Sequence, residues 1–355
     1  MGRKKFKNKQ ELRKILEQLY FEEKCSMLKI ARILNVYHGT IRWWFEKFGI
    51  PKRTRSETVS LAKSSMYHRP YDPSKDKDTV IELNALCHTD FTWTHKRRKI
   101  RIQSTTTHIG QVYFFSKIAK AHNLMPVRCS PVKYFVKKGV LLYKWHIYTN
   151  LDETFETTID DDRIRYIENF RNDRDWLLLY FTRGVECDGY IDIRSVSCSK
   201  QARHRKRIYA YVGFVQKDHQ YVRKLAEIIS ERFSVPVTYR KVKGRDLTKL
   251  QLPVIDRHVA DLFRKMPMLH PEKNLRKDLA LKYTGEEVTE DLLREINSAR
   301  MAIRQLRGLT VQLAKERRLL DRHKRVMAAD ELVEKVLKRY AERFNDYDVE
   351  RYFRI

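Results

Sequence analysis

The apolar residues near the start of the chain recur at helical spacing and predict a small helical unit. Leu12, Ile15, Leu16 and Leu19 fall on one side of a helix, because residues three and four apart are neighbours on a helix surface. The same spacing resumes after a short polar break. Together these patterns predict three helices, over residues 8–25, 26–36 and 38–49.

The second and third helices match a helix-turn-helix motif. Ala31 lies where the two helices would cross and only a small side chain fits, and Asn35 tolerates the left-handed backbone of the turn. The exposed face of the third helix would carry Tyr37, Thr40, Arg42, Trp43 and Lys47. Such side chains meet base edges and phosphates in a major groove. An ordinary three-helix packing unit is the alternative, but the turn and the basic face favour a DNA-binding domain over residues 1–52.

The hydrophobic pattern from residue 80 to about 281 repeats itself. A polar linker, residues 53–79, precedes two similar halves, 80–172 and 173–285. The first half predicts helices at 80–90, 110–123 and 160–171, a strand near 97–104, and a hairpin around Lys138-Gly139. The second predicts helices at 174–187, 218–232 and 254–264, strands near 189–197 and 205–215, and a hairpin around Lys243-Gly244. This alternation indicates an α+β fold, and a closing helix begins near Pro271.

Residues 286–355 have a different pattern, that of a charged helical extension. Leucine and isoleucine recur at helical spacing, which predicts one long helix from about Asp291 to Arg325 and another from Asp330 to Arg343. This pair could be a helical hairpin, a docking helix, an additional DNA clamp, or an amphipathic pair packed on the body.

Composition and charge narrow the partner. The 74 Lys and Arg residues against 45 Asp and Glu give a formal net charge of +29, which favours a polyanion such as nucleic acid. The basic residues run along the whole chain, whereas a membrane-surface protein would concentrate them on one amphipathic helix. The five cysteines are scattered, so a zinc site or disulfide framework is not expected. The absence of a long apolar run and of a signal-peptide core predicts an intracellular protein, in the cytoplasm or associated with the nucleoid.

Each half opens with a helix that ends on an acid and leads into a basic segment. The first copy runs from Ile81 to Asp90 and is followed by His95-Lys96-Arg97-Arg98-Lys99; the second runs from Trp176 through Phe181 to Asp188-Gly189. Two acids, one per copy, are a natural pair of metal ligands beside DNA-binding strands. Together with His270-Pro271-Glu272-Lys273-Asn274 before the closing helix, this pattern resembles the LAGLIDADG homing endonucleases over Thr79 to Leu281.

The resemblance implies a fold and a site. It implies two pseudo-symmetric αββαββα halves whose first helices pack along the pseudo-twofold axis, and whose strands form a saddle for DNA. Asp90 and Asp188 would then be the catalytic carboxylates and hold Mg²⁺ or Mn²⁺, which activates water and stabilises the leaving oxygen of a phosphodiester. Lys144 and Lys249, at matching places after their hairpins, would assist catalysis as basic residues.

The basic residues on or between the predicted strands are the candidate contacts to phosphates and bases. They are Lys96, Arg97, Arg98, Lys99, Arg101, Arg203, Arg205, Lys206, Arg207, Arg240, Lys241, Lys243 and Arg245. Gln103, Gln201 and Gln251 could add base readout.

The two motif helices also depart from the usual pattern. Phe91 stands where glycine is usual, Asn84 is expected to face outward, and either Arg183 or Gly184 takes a position usually held by a small residue. Glu186 is expected at the surface or behind the acids rather than as a third ligand, and His88 is expected to be structural.

Three functions remain open at this point. The leading hypothesis is a monomeric, metal-dependent endonuclease that cuts both strands of double-stranded DNA at a long asymmetric site. The alternatives are a catalytically inactive, LAGLIDADG-derived DNA-binding regulator and an RNA-binding splicing or ribonucleoprotein factor. A helix-turn-helix favours duplex DNA, because the deep major groove of RNA excludes a helix.

Overall fold

The computed structural model describes residues 9–23, 25–54, 70–95, 99–135, 141–197, 206–321, 324–344 and 347–354. The chain divides into two compact units, Met1–His68 and Arg69–Ile355. The division falls within the segment predicted to be a linker. None of the described helices is long and apolar enough to cross a membrane.

The first unit contains the three expected helices. They are α1 (Lys9–Glu17), which continues as a π-helical turn (Gln18–Glu22), α2 (Met27–Leu34) and α3 (His38–Lys47). The hydroxyl of Ser26 caps α2 by accepting from the amide of Lys29 at 3.1 Å, an arrangement that satisfies one of the helix's unpaired donors. Asn35 ends α2 in the left-handed conformation, with a φ of 53°. The two helices and the left-handed turn residue expected from the sequence are therefore present, and their assignment as a DNA-binding helix-turn-helix stays a prediction.

The second unit begins with the first half of the repeat. Its elements are α4 (Lys77–Cys87), β1 (Thr92–His95), β2 (Lys99–Thr106), α5 (Ile109–Ala121), β3 (Arg128–Phe135), β4 (Leu141–Asp152), a 3-10 helix (Glu153–Thr158) and α6 (Arg163–Asn169). The strands form an antiparallel sheet of order β1-β2-β4-β3, with a further short strand, β9 (Met327–Ala328), on β3. Where the sequence predicted one strand near 97–104, the structure has a two-stranded hairpin.

The second half repeats the order of the first. Its elements are α7 (Arg174–Cys187), β5 (Gly189–Ser197), β6 (Lys206–Gln216), α8 (His219–Phe233), β7 (Thr238–Lys241), β8 (Thr248–Pro253) and α9 (Arg257–Lys265). Its antiparallel sheet has the order β5-β6-β8-β7. Both halves therefore read helix, two strands, helix, two strands, helix, and the α+β class with a repeated αββαββα order is confirmed.

Each sheet has one buried face and one outward face, because side chains alternate along a strand. In β2 the side chains of Ile100 and Ile102 are fully buried, and Arg101 between them points to the other side. In β6 the same alternation buries Ile208 and Ala210 on the core side. The helices cover the buried faces, so the outward faces are the surfaces that a partner could meet.

The C-terminal extension ties the two halves together. It follows the closing helix of the second half, α10 (Pro271–Tyr283), and comprises α11 (Glu290–Arg318), β9 (Met327–Ala328), α12 (Ala329–Arg343) and a 3-10 helix (Glu350–Phe353). Ile296 in the first part of α11 packs in the core of the second half, and Leu306 in the later part packs in the core of the first. The Trp145 indole, fully buried in the first half, donates to the carbonyl of Thr310 at 2.9 Å. The extension therefore completes both cores of this unit.

Candidate active site

Helices α4 and α7, which open the two halves, pack against each other. Ala85 of α4 is 1% exposed and joins the core of the second half, so its small side chain fits the helix contact as expected. Arg183 of α7 faces α4, since its guanidinium contacts Glu82. A Cβ on Gly184 would instead lie 3.4 Å from the ring of Phe214 in β6. The alternative left open by the sequence is thus resolved in favour of Arg183.

In each half an acid lies between the motif helix and the strand that follows. Helix α4 ends at Cys87 with His88 as its cap, and Asp90 lies in the turn after it. Asp188 is the C-terminal cap of α7, and Gly189 begins β5. A Cβ on Gly189 would lie 2.3 Å from the Cα of Val185 and 2.7 Å from the carbonyl oxygen of Gly213. Only glycine allows this close approach. In the first half Phe91 occupies the corresponding place, buried in the core with its ring 4.6 Å from that of Phe115.

The two acids meet at the ends of these helices. The carboxyl groups of Asp90 and Asp188 are within hydrogen-bonding reach of each other. Each is also held by an amide side chain: Gln111 Nε2 donates to Asp90 Oδ2 at 3.2 Å, and Gln216 Nε2 donates to Asp188 Oδ2. The first amide comes from the start of α5 and the second from the end of β6, so the two supports are not related by the repeat.

Burial and the neighbouring acid change the ionisation of Asp188. The pKa of Asp188 is raised to about 8, first by burial and then by the hydrogen bond and charge of Asp90, against the opposing charges of Arg163 and Lys273. Two carboxyl groups in contact cannot both be ionised without an added positive charge. At neutral pH this pair therefore holds a proton.

Lys273 lies close to this pair. Its ammonium group donates to the carbonyl of Gly189, the residue that follows Asp188, and burial lowers the pKa of Lys273. Lys273 belongs to the His270–Asn274 segment noted in the sequence, but its place beside the acids was not predicted. Gln111 and Gln216 were also missed, because single glutamines carry no sequence signal.

A buried ion network lies directly behind the acids, between the two helices. The Arg183 guanidinium is 2.6 Å from Glu82 Oε1 and also contacts Glu186. Glu186 in turn accepts from the backbone amide of His270 at 2.6 Å. Burial raises the pKa of Glu186, and Arg183 and the backbone amides oppose this effect. Of the two positions expected for Glu186, at the surface or behind the acids, the surface position is excluded, since Glu186 is 1% exposed; it supports the helix pair through Arg183 and the His270 amide.

Two other expectations for the motif helices have clear outcomes. Asn84 does not face outward: it is fully buried, donates to the Thr158 carbonyl at 2.8 Å and accepts from the Asp160 amide at 2.9 Å. The expectation failed because these backbone groups of the first half need partners inside the fold. His88 is buried between the Tyr180 hydroxyl, at 2.7 Å, and the Asp160 carbonyl, at 2.6 Å. Burial lowers the pKa of His88 to about 4, so its role is structural, as expected.

Lys144 and Lys249 both lie on the outward faces of their sheets, but not at matching positions. Thr106 and Gln216 end the second strand of their halves and therefore serve as equivalent reference points. Thr106 pairs with Trp145, and Gln216 pairs with Thr248. Lys144 precedes Trp145, whereas Lys249 follows Thr248. The matched placement inferred from the sequence is therefore wrong, because the hairpin strands differ in length: β4 has 12 residues and β8 has six. His146 takes the place in β4 that Lys249 has in β8.

The contacts described for Lys249 are local to the second sheet. Its ammonium lies 4.2 Å from the centre of the Tyr190 ring. Burial, followed by the charge of Arg194, lowers the pKa of Lys249. A catalytic role for Lys144 and Lys249 stays a prediction.

The basic residues predicted to contact nucleic acid are spread over both sheets. Lys99 and Arg101 lie on β2, Lys206 and Arg207 begin β6, Arg240 and Lys241 lie on β7, and Lys243 and Arg245 lie in the turn after it. Lys96, Arg97, Arg98, Arg203 and Arg205 lie outside the described residues.

The third helix of the first unit presents the predicted face. Tyr37 is 83% exposed and Trp43 is 52% exposed. The Lys47 ammonium lies 4.3 Å from the centre of the Trp43 ring, and Arg42 is exposed beside Glu46 at 3.5 Å. Thr40 is half-buried.

The chemistry of the two acids suits a hard divalent cation. Magnesium is usually bound by one or two protein carboxylates together with waters and phosphate oxygens. A divalent cation on Asp90 and Asp188 would also supply the positive charge that lets both ionise. Among the described residues, no cluster of three or more His, Cys, Asp or Glu side chains is placed to form a metal site. A metal here would thus depend on non-protein oxygens for its remaining ligands.

Comparison with solved structures gives a consistent set of neighbours. They are LAGLIDADG homing endonucleases, as the sequence resemblance implied. A mesophilic variant of I-DmoI is 9% identical, with a TM-score of 0.33, over 53% of this chain and 94% of that one. I-WcaI bound to its DNA recognition sequence is 10% identical, with a TM-score of 0.37, over 61% and 91%. The LAGLIDADG meganuclease I-AabMI bound to uncleaved DNA is 9% identical, with a TM-score of 0.35, over 56% and 88%.

These likenesses are distant. No protein-family model matches the chain, and no curated protein matches it. At such identities and TM-scores, the neighbours say what the chain resembles and nothing of its activity.

Proposed function

We propose that this chain is a site-specific DNA endonuclease that hydrolyses phosphodiesters with a divalent metal. The observation that carries the proposal is the meeting of Asp90 and Asp188 at the ends of two equivalent helices. Each acid lies where its half passes into a sheet with a basic, polar outward face. A pair of carboxylates placed between two such faces can address both strands of one duplex.

In the proposed hydrolysis, the metal would activate the reactants and the side chains would hold the metal and the backbone in place. Bound Mg²⁺ or Mn²⁺ would lower the pKa of a water nucleophile and stabilise the leaving oxygen. Asp90 and Asp188 would hold it, while Gln111 and Gln216 keep the two carboxyl groups in position. Lys273 fixes the backbone after Asp188. Lys144 and Lys249 are proposed to assist catalysis, with support only from their place on the outward faces.

The rest of the chain would supply binding. The basic residues of the sheets are proposed to contact the phosphates, and α3 with Arg42 and Lys47 to bind a neighbouring stretch of double-stranded DNA. Because the two halves differ in sequence, a monomer could bind an asymmetric site. Electrostatic contacts of this kind make affinity fall steeply with salt.

The proposal is tested by nicking and cleavage of duplexes obtained by binding selection, with Mg²⁺ or Mn²⁺ present. Wild type should cut, and Asp90→Asn and Asp188→Asn should lose cutting by orders of magnitude while keeping DNA affinity. Asp175→Asn is the matched control, because Asp175 is exposed at the opposite end of the same helix as Asp188. Cutting that survives in both site variants would reject the catalytic assignment.

A DNA-binding regulator without cleavage is the second candidate. It is favoured by one observation: the carboxyl groups of Asp90 and Asp188 already have hydrogen-bond partners within the protein, namely each other, Gln111 and Gln216. Tight binding with no cutting in either metal would support it. Preference for RNA over duplex DNA in the same binding assay would support a ribonucleoprotein role instead.

A further inference from the structure

The outward face of the first sheet carries a connected cluster of side chains, which we term the first-face cluster. It comprises Arg101, Gln103, His146, Tyr148 and Asn150. Arg101 Nε donates to Asn150 Oδ1 at 3.0 Å, and the guanidinium carbon lies 4.3 Å from the centre of the Tyr148 ring. Tyr148 stacks on His146 with ring centres 5.2 Å apart. His146 Nε2 lies 3.2 Å from Gln103 Oε1.

The outward face of the second sheet is built differently. Arg207 and Arg240 are exposed there, Lys249 lies over the Tyr190 ring, and Arg194 is paired with Asp192. Arg194 meets Asp192 through a terminal nitrogen and lies 5.9 Å from the centre of the Tyr211 ring. Gln251, which pairs with Gly213 across the strands, is only 9% exposed. Among the residues described on this face, the exposed cations outside the Arg194–Asp192 pair are therefore Arg207 and Arg240.

One position shows the difference directly. Gln103 lies three residues before the end of β2, and Gly213 lies three residues before the end of β6. The second sheet therefore has no side chain where the first has an amide. That space is taken by Tyr190, whose hydroxyl lies 2.3 Å from where a Cβ of Gly213 would be.

The two sets of side chains differ in what they can recognise. An arginine held in a fixed plane can form a bidentate contact with guanine, and glutamine can form one with adenine. The hydrogen bond from Arg101 to Asn150 is made by Nε. The two terminal nitrogens of Arg101 are the ones that would contact a guanine. A group already ordered loses less entropy on binding. Exposed, flexible cations instead suit phosphates, which carry no sequence information.

We propose that the first sheet reads base sequence through Arg101 and Gln103, and that the second sheet mainly binds the phosphate backbone. One half of the DNA site would then carry most of the sequence information. This inference rests on the proposed binding of duplex DNA, but not on cleavage. His146, Tyr148 and Asn150 act as positioning residues, since they order the two readers.

The first experiment is a binding selection with the full-length chain on duplexes randomised across the whole site, in EDTA at fixed salt. We expect strong base preferences in one half-site and weak ones in the other. Equal preferences in the two halves would overturn the inference.

Variants then assign each half-site to a sheet. Arg101→Ala and Gln103→Ala should each weaken binding to the preferred site by about 5- to 150-fold and erase the preference at one or two adjacent base pairs. Lys249→Ala and Arg240→Ala are the matched controls on the second sheet. They should weaken all sequences alike and reduce the salt slope by about one. Thermal melting confirms that each variant is folded.

The outcomes separate this inference from the proposed activity. Uniform losses in Arg101→Ala and Gln103→Ala would reject base readout by the first sheet even if the protein cuts DNA. An asymmetric binding profile without cleavage would reject the endonuclease and leave the inference standing. No preference for duplex DNA at all would reject both.

Discussion

The shared proton between Asp90 and Asp188 makes a quantitative prediction about stability and pH. The pKa of Asp188 is raised to about 8 in the folded chain, from an ordinary value of 3.8. Between these two values the folded protein holds a proton that the unfolded chain has released. Stability contributed by this group is therefore complete at acid pH and falls as the pH rises towards 8.

The size of the effect follows from linkage. One bound proton changes the free energy of unfolding by about 1.4 kcal/mol per pH unit. From pH 5 to pH 7 wild type should lose at most about 2.7 kcal/mol from Asp188 alone. Asp188→Asn cannot ionise and keeps a polar group for Gln216, so it should lack this part of the slope.

The assay is urea unfolding of wild type and Asp188→Asn between pH 5 and pH 8, in EDTA. All other titrating groups are common to both proteins, so the difference between the two curves isolates the acid pair. Asp188→Asn should become the more stable protein as the pH rises. Adding Mg²⁺ should flatten the wild-type curve, because a cation that binds only the folded state stabilises it.

Two results would refute this reasoning. Parallel stability curves for wild type and Asp188→Asn would show that the carboxyl groups do not share a proton. A magnesium effect of equal size in both proteins would show that the metal binds elsewhere.

Three further predictions concern the packing around the site and the binding of DNA. Gly189→Ala should destabilise the protein by about 1–3 kcal/mol in urea unfolding, because the added Cβ overlaps the preceding helix turn; wild-type stability would contradict the contact. Arg183→Met should cost about 3–5 kcal/mol by the same measurement, because Glu186 would remain buried without its cation and Glu82 would keep only His122; a neutral result would mean that the network relaxes. Arg42→Ala should weaken DNA binding and reduce the slope of log affinity against log salt by about one, without moving the cut positions. A shifted cut would mean that the first unit determines where the chain is placed on the DNA.

The buried network of Arg183, Glu82 and Glu186 also bears on how the two motif helices pair. Arg183 replaces the small residue expected at the helix contact, and Glu82 of the other half supplies its partner. Buried charges are neutralised only in one arrangement of the two helices. This favours the pairing that places Asp90 beside Asp188 over a slipped one.

The two acids are nevertheless unequal. Asp90 is exposed and Asp188 is half-buried, and their amide partners come from different elements. If the chain cuts DNA, these differences give a physical reason for the two strands to be cut at different rates.

Periodicity alone determined most of the architecture. Apolar residues that recur with a period of about 3.6 or two residues identified the helices and most strands of both halves, because each element must bury one of its own faces. The helices around the turn at Asn35 were predicted from a small crossing residue and a turn residue for the same reason. The repeat of a helix ending on an acid was enough to select Asp90 and Asp188, since each is defined by its own segment.

Only the tertiary structure decided what those residues meet. Asn84 was expected at the surface, and the place of Glu186 was left open between the surface and a position behind the acids. Distant backbone groups and Arg183 satisfy both side chains inside the core. Lys273 and Gln216 approach Asp188 from elements far away in the chain, and hairpin length sets the strand register that separates Lys144 from the place of Lys249. Contacts between distant segments depend on how whole elements pack, and no local pattern carries that information.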